Sequence, residues 1–233
     1  MTYLLKPSMV LTPNKVLIDT YIYFDSESGK IIAVSKDPNL PHDHEITFPV
    51  PTVAFPGLIN VHDHLLGTYW PSVARGPHLN WKYWDDALKS DRVYKERSAI
   101  SNEDLYLLGT FKNLLSGVTT VMDHFPHKFN EEILPTLPIF VPKEYCLSHE
   151  VSSYELAWWG DGLEIESARA VKKNWPYVTH IEEGFDEESM KGIDQLIEAD
   201  ALNDHAVLVH GISLSDRDIA SVAISKANMV WCP

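Results

Sequence analysis

The chain has 233 residues, of which 45% are hydrophobic and 22% are charged, and its formal net charge is −14 at pH 7. These proportions are typical of a globular protein with enough apolar residues for a core. The negative charge argues against nucleic acid or an anionic membrane as a partner, because both bind positive surfaces. No apolar run approaches the ~18 residues that span a bilayer, and the opening residues do not resemble a signal peptide. Two cysteines are too few for a disulfide framework. We therefore predict a cytoplasmic protein.

Residues 1–55 predict short strands separated by turns. The segments VLIDTYIYFD and KIIAVS are rich in β-branched and aromatic residues, and Ser26, Ser28 and Gly29 lie between them, which predicts a hairpin. A proline-rich stretch follows, and the pattern changes at residue 56. We therefore predict a domain boundary between residues 55 and 56.

From residue 56 onward, short apolar strands alternate with helical patterns. A helix is predicted from Asn102 to Ser116, capped by Ser101 and ended by Gly117. At ~30 residues per unit, the alternation predicts a parallel α/β fold. The strand candidates are LINVHDH, VTTVMDH, YVTHIEE, AVLVHG and ANMVWCP, with LPIFVPKEYCLSH as a weaker one. Helices are predicted over DEESMKGIDQLIEADAL and SLSDRDIASVAISK.

Histidines end four of these predicted strands. In a parallel barrel the carboxyl ends of the strands face one mouth, where active sites lie. A single histidine at a strand end is more often structural, but four of them indicate a functional site. The residues are His62 and His64, His124, His180, and His210.

The His62-Asp63-His64 tripeptide predicts half of a metal site. Side chains at positions i and i+2 of a strand point to the same face, so the two imidazoles can bind one ion, and imidazole suits zinc or iron. Asp63 points the other way and is predicted to be a structural residue or one that supports a metal ligand. Glu183 follows His180 by three residues, where a carboxylate can accept a proton from an activated water. The alternative for Glu183 is an exposed acid before the acidic helix 186–200.

An aromatic stretch, Thr68–Trp84, follows the first barrel strand. With Trp70, Trp81, Tyr83 and Trp84 it could form a wall or lid over a flat substrate. A packed surface loop is the other interpretation.

Taken together, FPGLINVHDHL, GVTTVMDH, THIEEGFDEES, AVLVHGISLSDRDI and MVWCP resemble the amidohydrolase superfamily, in its cytosine-deaminase-like, chlorohydrolase-like and imidazolonepropionase-related branch. The resemblance implies a (β/α)8 TIM-type barrel with a small β-sandwich domain beside it. Residues 1–55 would be the N-terminal part of the sandwich, and residues 56–233 the barrel.

The resemblance also implies roles for individual residues. His62 and His64 would be first-strand ligands of one divalent metal, most simply zinc, with iron as an alternative, and His180 the fifth-strand ligand. Glu183 would be the proton shuttle. His210, on the sixth strand, would orient substrate and bound water or ligate a second metal.

Two further expectations concern the substrate and the number of metals. His124 is expected to be at most a substrate contact, and Trp70 is the other expected substrate contact. The bridging lysine of two-metal members has no convincing counterpart, since Lys143 precedes an uncertain strand and Lys172 and Lys173 lie in a helical context. A one-metal site is therefore favoured.

The length predicts an incomplete barrel. A full barrel needs ~250 residues, and residues 56–233 supply about six units of eight, with the seventh strand just begun. The eighth-strand aspartate of the family has no counterpart before Pro233. We expect a barrel truncated after strand 7 and completed by a missing C-terminal segment, or a homo-oligomer, and we expect the 233 residues alone to be insufficient for activity.

The predicted function is hydrolysis of a carbon–nitrogen bond, other than a peptide bond, in a small cyclic molecule, by attack of a metal-bound hydroxide. Deamination is the more specific form. One alternative is a chlorohydrolase or cyclic-amide hydrolase that uses the same site. A second is a catalytically incomplete scaffold or half of a split assembly.

Overall fold

The computed structural model describes residues 1–232, which divide into two compact units, Met1–Gly57 and a second that begins at Leu58. The predicted strand ANMVWCP extends to Pro233, which lies outside the described residues. Among the residues described, no helix has the length and apolar character needed to cross a membrane. The cytoplasmic location stays a prediction.

The first unit consists of short strands, as the sequence predicts. One sheet has four strands in the order β5-β4-β1-β6, and the other has three in the order β3-β2-β7. The predicted hairpin is confirmed, because β4 and β5 pair antiparallel on either side of the turn. Whether this unit belongs to a β-sandwich domain stays a prediction. Its strands are β1 Thr2–Lys6, β2 Met9–Leu11, β3 Val16–Ile18, β4 Tyr21–Asp25, β5 Ile31–Ser35, β6 His44–Thr47 and β7 Val53–Ala54.

The second unit alternates strands with helices, which confirms the predicted parallel α/β class. The strands are β8 Leu58–Asp63, β9 Val118–Asp123, β10 Cys146–Glu150, β11 Tyr177–Ile181, β12 Ala206–His210 and β13 Asn228–Val230. The helices are α1 Trp81–Ser90, α2 Arg92–Arg97, α3 Asn102–Leu115, α4 His127–Asn130, α5 Leu163–Lys173, α6 Gly192–Glu198 and α7 Asp216–Ser225, with short 3₁₀ turns at Leu134–Thr136 and Ser189–Lys191.

All strand pairs of the second unit are parallel. β8 pairs with β9, and β10 to β13 form a four-stranded sheet in chain order. An isolated parallel bridge between Thr120 and Phe140 continues the pairing beyond β9. Counting Phe140 as a strand position makes β11 the fifth, β12 the sixth and β13 the seventh strand. This count agrees with the positions that the resemblance assigns to His180 and His210.

The core of this unit lies between the four-stranded sheet and its helices. Every residue of β10 and β11 is buried, which is typical of parallel strands covered on both faces. The largest buried cluster combines Tyr177, Ile181 and Leu208 of the sheet with Ala170 of α5 and Leu196 of α6. Burying one such large apolar side chain contributes about 1.5–3 kcal/mol, so this cluster holds the strand ends in fixed relative positions.

The predicted helix over DEESMKGIDQLIEADAL is shorter than its pattern suggests. The carboxylate of Asp186 accepts hydrogen bonds from the backbone N–H groups of Glu188 and Ser189, which forms a turn instead of a first helical turn. At the other end, Asp200 adopts a left-handed φ of 53° and ends the helix. The structure also has a helix that the sequence did not predict, α1, which Asn80 caps by accepting from the N–H groups of Lys82 and Tyr83.

Gly109 allows helix α3 to approach the segment that follows His64. A Cβ atom at this position would lie 2.2 Å from the carbonyl oxygen of Leu65. We expect Gly109→Ala to destabilise the protein by about 1–3 kcal/mol despite the better helix propensity of alanine, because neither backbone can yield locally. The midpoint of urea denaturation measures this change.

The matched control is Gly67→Ala, whose Cβ would have its nearest neighbour, the carbonyl oxygen of His64, at 3.7 Å. We expect its effect to stay within about 0.5 kcal/mol. Equal midpoints for the two variants would contradict this account of the packing of α3.

Candidate metal centre

His62 lies in strand β8, His64 directly follows the strand, and Asp63 between them points away from the two imidazoles. Asp63 is buried, and its carboxylate accepts hydrogen bonds from Asn60 and Asn113, each at 2.8 Å. These contacts fix the carboxylate on the side away from the imidazoles. The alternation of a strand thus places the two histidine rings together, with centroids 5.0 Å apart.

The ring of His180 lies against both of these histidines. Its Nε2 atom is 3.2 Å from Nε2 of His62 and 3.3 Å from Nε2 of His64. β8 and β11 are not paired in either sheet, so their ends meet only because the sheet curves round on itself. The structure therefore brings the three predicted ligands together, although their role as ligands stays a prediction.

Three imidazole nitrogens that face one another need a shared cation or shared protons. The Nδ1–H of His180 donates to the carbonyl oxygen of His149, which leaves its Nε2 as a lone pair. Burial lowers the pKa of His62 and His180 and lowers that of His64 to about 4, so protonation does not bridge these atoms at neutral pH.

The spacing of the nitrogens fits a zinc ion. Zinc binds imidazole nitrogen at ~2.0–2.1 Å, and two corners of a tetrahedron of that size are ~3.3–3.4 Å apart. The measured separations of 3.2 and 3.3 Å match that edge. The donor set, three neutral buried imidazoles, is also one that zinc prefers. These residues therefore fit a divalent metal.

Glu183 and His210 lie together beside His180. An oxygen of Glu183 is 3.5 Å from Nε2 of His210, and each offers a ligand atom within 4.8 Å of that of His180. Burial, and then the charge of Glu150, raise the pKa of Glu183 to about 8. Burial lowers the pKa of His210 to about 4. The pair is therefore a carboxyl group that titrates near neutrality next to a neutral imidazole.

The backbone at the ends of β11 and β12 is strained. Glu182 has a φ of 48° and His210 a φ of 76°, in the left-handed region that residues with a Cβ rarely adopt. Such a conformation costs of order 1–3 kcal/mol and is concentrated at functional sites. Here the left-handed conformation turns the chain next to Glu183 and at His210, which carry the carboxyl and imidazole groups of the site.

The other two predicted site residues are placed differently. The ring of His124 is 1% exposed and stacks on His180 at 4.2 Å, inside the cluster. The indole of Trp70 instead packs against Tyr94 at 5.7 Å and lies beneath the guanidinium of Arg97. The structure does not bring Trp70 to the histidines, and its contact with substrate stays a prediction.

The sequence interpretation missed the contribution of β10. The ring centroid of His149 lies 4.6 Å from that of Trp81 and 4.9 Å from that of Trp159. The indole N–H of Trp81 donates a hydrogen bond to the carboxylate of the next residue, Glu150. The available signal was the strand candidate LPIFVPKEYCLSH, which also ends in histidine. Its two prolines obscured the strand pattern.

Comparison with known proteins identifies the fold. No protein-family model and no curated protein matches the sequence. Among solved structures, atrazine chlorohydrolase from Arthrobacter aurescens TC1, in complex with zinc, has a TM-score of 0.70 at 18% identity, over 98% of this chain and 65% of that one. Adenosine deaminase from Xanthomonas campestris, with bound zinc, has a TM-score of 0.67 at 15% identity, over 99% and 62%.

A third similar structure is guanine deaminase from C. acetobutylicum with bound guanine, at a TM-score of 0.65 and 14% identity, over 100% of this chain and 68% of that one. These likenesses confirm, at the level of the fold, the resemblance seen in the sequence. The chain spans about two thirds of the length of these structures.

Proposed function

We propose that this chain carries the metal-binding part of a hydrolase that cleaves a carbon–nitrogen bond, other than a peptide bond, in a small cyclic molecule. One observation supports this most strongly: Nε2 of His180 lies 3.2 Å from that of His62 and 3.3 Å from that of His64, beside the pair of Glu183 and His210. Catalytic zinc sites commonly have three protein ligands and an open position, which is the arrangement proposed here.

His62, His64 and His180 would hold one divalent metal, with zinc preferred over iron. A metal in this place supplies Lewis acidity to the reaction. A single ion is favoured because β10, the fourth strand position, has the sequence CLSHE and contains no lysine that could bridge two metals. The zinc bound in two of the similar structures supports the choice of metal.

Glu183 would move the proton. A carboxyl group whose pKa lies near the working pH both accepts a proton from water and returns it to a leaving nitrogen. The adjacent neutral imidazole of His210 would orient the substrate or the attacking water through its Nε2 atom. In this proposal the substrate binds at the carboxyl ends of the strands, where Trp81 and Trp159 provide flat apolar surfaces against His149.

Deamination of a nitrogen heterocycle is the preferred form of the reaction. The similar structures include an adenosine deaminase and a guanine deaminase, and the Glu183 position suits protonation of a leaving amine. Loss of chloride from a triazine-like ring is the second candidate, which the atrazine chlorohydrolase similarity favours. Both reactions would use the same site and differ in the leaving group.

The test is a panel of substrates with two readouts. Zinc-loaded protein is incubated with aminopurines, aminopyrimidines, cyclic amides and chlorotriazines, and the release of ammonia and chloride is measured. Ammonia would support deamination, and chloride the second candidate. Tightly bound zinc without turnover of any substrate would oppose catalysis by these 233 residues and favour a catalytically incomplete scaffold, in line with the incomplete barrel expected from the sequence.

A further inference from the structure

His124 lies next to the three proposed ligands, and both of its ring nitrogens contact protein atoms. Its Nε2 atom is 2.7 Å from the carbonyl oxygen of Ser148, and its Nδ1 atom is 3.3 Å from Nδ1 of His62. The ring is 1% exposed. Its position after β9 is fixed further by a 2.6 Å hydrogen bond from its backbone N–H to the carbonyl oxygen of Asp63.

The proton positions follow from what each partner can accept. A carbonyl oxygen has no proton, so the contact with Ser148 requires the N–H of His124 to be at Nε2. A neutral imidazole has a single N–H, so Nδ1 of His124 is an acceptor. The matching donor is the Nδ1–H of His62. With its proton at Nδ1, His62 presents the lone pair of Nε2 to His180 and to the metal position.

We propose that His124 is a positioning residue that sets the tautomer and ring orientation of His62 for metal binding. The inference rests on the proposed one-metal function but adds a residue that acts through a ligand and not on the metal. It differs from the sequence prediction, in which His124 contacts substrate.

Strand β10 supports two of the proposed ligands in related ways. The carbonyl oxygen of His149 accepts directly from Nδ1 of His180, and the preceding carbonyl, of Ser148, holds His124, which in turn accepts from His62. Two consecutive peptide groups of β10 therefore fix the tautomers of ligands from β8 and β11. Removal of a group that orients a ligating histidine in this manner typically lowers metal affinity about 10–100-fold. We expect an effect of about that size here.

Two amide substitutions separate the two hydrogen bonds of His124. The Oδ1 atom of asparagine can take the place of Nδ1 and accept from His62, whereas the Nε2 of glutamine can take the place of the ring Nε2 and donate to Ser148. We expect His124→Gln to weaken zinc binding about 10–100-fold and His124→Asn to weaken it less than about fivefold. Competition with a chromophoric chelator measures the affinity, and circular dichroism of the metal-free proteins confirms that both fold.

The visible spectrum of the cobalt(II)-substituted protein gives a second readout. We expect the wild-type spectrum to be retained in His124→Asn and altered in His124→Gln, because only the latter frees the ring of His62. Equal affinities of the two variants, or tighter binding by the glutamine variant, would overturn the proposal. A loss of metal affinity beyond about 10³-fold in both variants, together with a change in the coordination number of cobalt, would also overturn it, since His124 would then be a ligand itself.

These outcomes are distinct from a failure of the proposed function. If the wild-type protein binds no zinc or cobalt, the metal centre and the positioning role fail together. If the wild type binds the metal and the two variants do not differ, only the positioning role fails.

Discussion

Replacing His62 and His64 together by alanine will reduce the zinc content of the purified protein from about one ion per chain to near zero. The substitution removes the two Nε2 atoms that lie 3.2 and 3.3 Å from Nε2 of His180 and leaves His180 alone. A single imidazole does not hold zinc against dialysis, because the affinity of such sites comes from several ligands on one ion. Elemental mass spectrometry on protein of known concentration measures the content.

The chain offers a matched control in a second His-Asp-His tripeptide, at residues 42–44. His42 contacts the carbonyl oxygen of Leu40 and the carboxylate of Glu45, and the ring of His44 lies tilted against that of Tyr3, with centroids 4.9 Å apart. We expect His42→Ala/His44→Ala to retain about one zinc per chain. Retention of zinc by the His62/His64 variant, or equal loss in both, would refute the proposed metal centre.

Substituting Glu183 by glutamine will lower kcat by about 10²–10⁴-fold, the usual contribution of a positioned general acid or base. The amide has the same shape but exchanges no proton with water or with a leaving nitrogen. We expect zinc content to be unchanged, since Glu183 is not among the three proposed ligands. Steady-state rates on the best substrate of the panel, with metal analysis of the same samples, test both parts.

Glu187→Gln serves as the control for the loss of one negative charge, because Glu187 follows Glu183 closely and lies on the exposed side of the turn. Its kcat is expected to stay within about twofold of the wild type, as for most surface substitutions. A Glu183→Gln enzyme as active as this control would exclude Glu183 from proton transfer. A Glu183→Gln protein without zinc would instead make Glu183 part of the metal site.

Local sequence signals predicted those parts of the structure that depend on neighbouring residues. Helix α3 begins after Ser101, whose side chain accepts from the N–H of Asp104, and the chain turns at Gly117 with a φ of 80°. Capping and chain reversal are decided within a few residues, so the sequence alone shows them. The same holds for the hairpin of β4 and β5.

The parts that were missed depend on distant contacts. β10 was a weak candidate because prolines precede it, and it is stabilised by pairing with β11 and by α5. The helix predicted from residue 186 is shortened because the Asp186 side chain bonds to the backbone and to Asn80, more than 100 residues earlier. Propensity within a window contains no information about such partners.

The two His-Asp-His tripeptides separate what the local sequence determines from what tertiary contacts determine. By itself the sequence determined that His62 and His64 share one face of a strand, because strand alternation is a local property. In the second tripeptide only His44 lies in a strand, at the start of β6, so a His-Asp-His sequence alone does not define a metal site. Only the curvature of the parallel sheet brings Nε2 of His180 to within 3.3 Å of those of His62 and His64, and this convergence of three neutral imidazoles is what a zinc site needs.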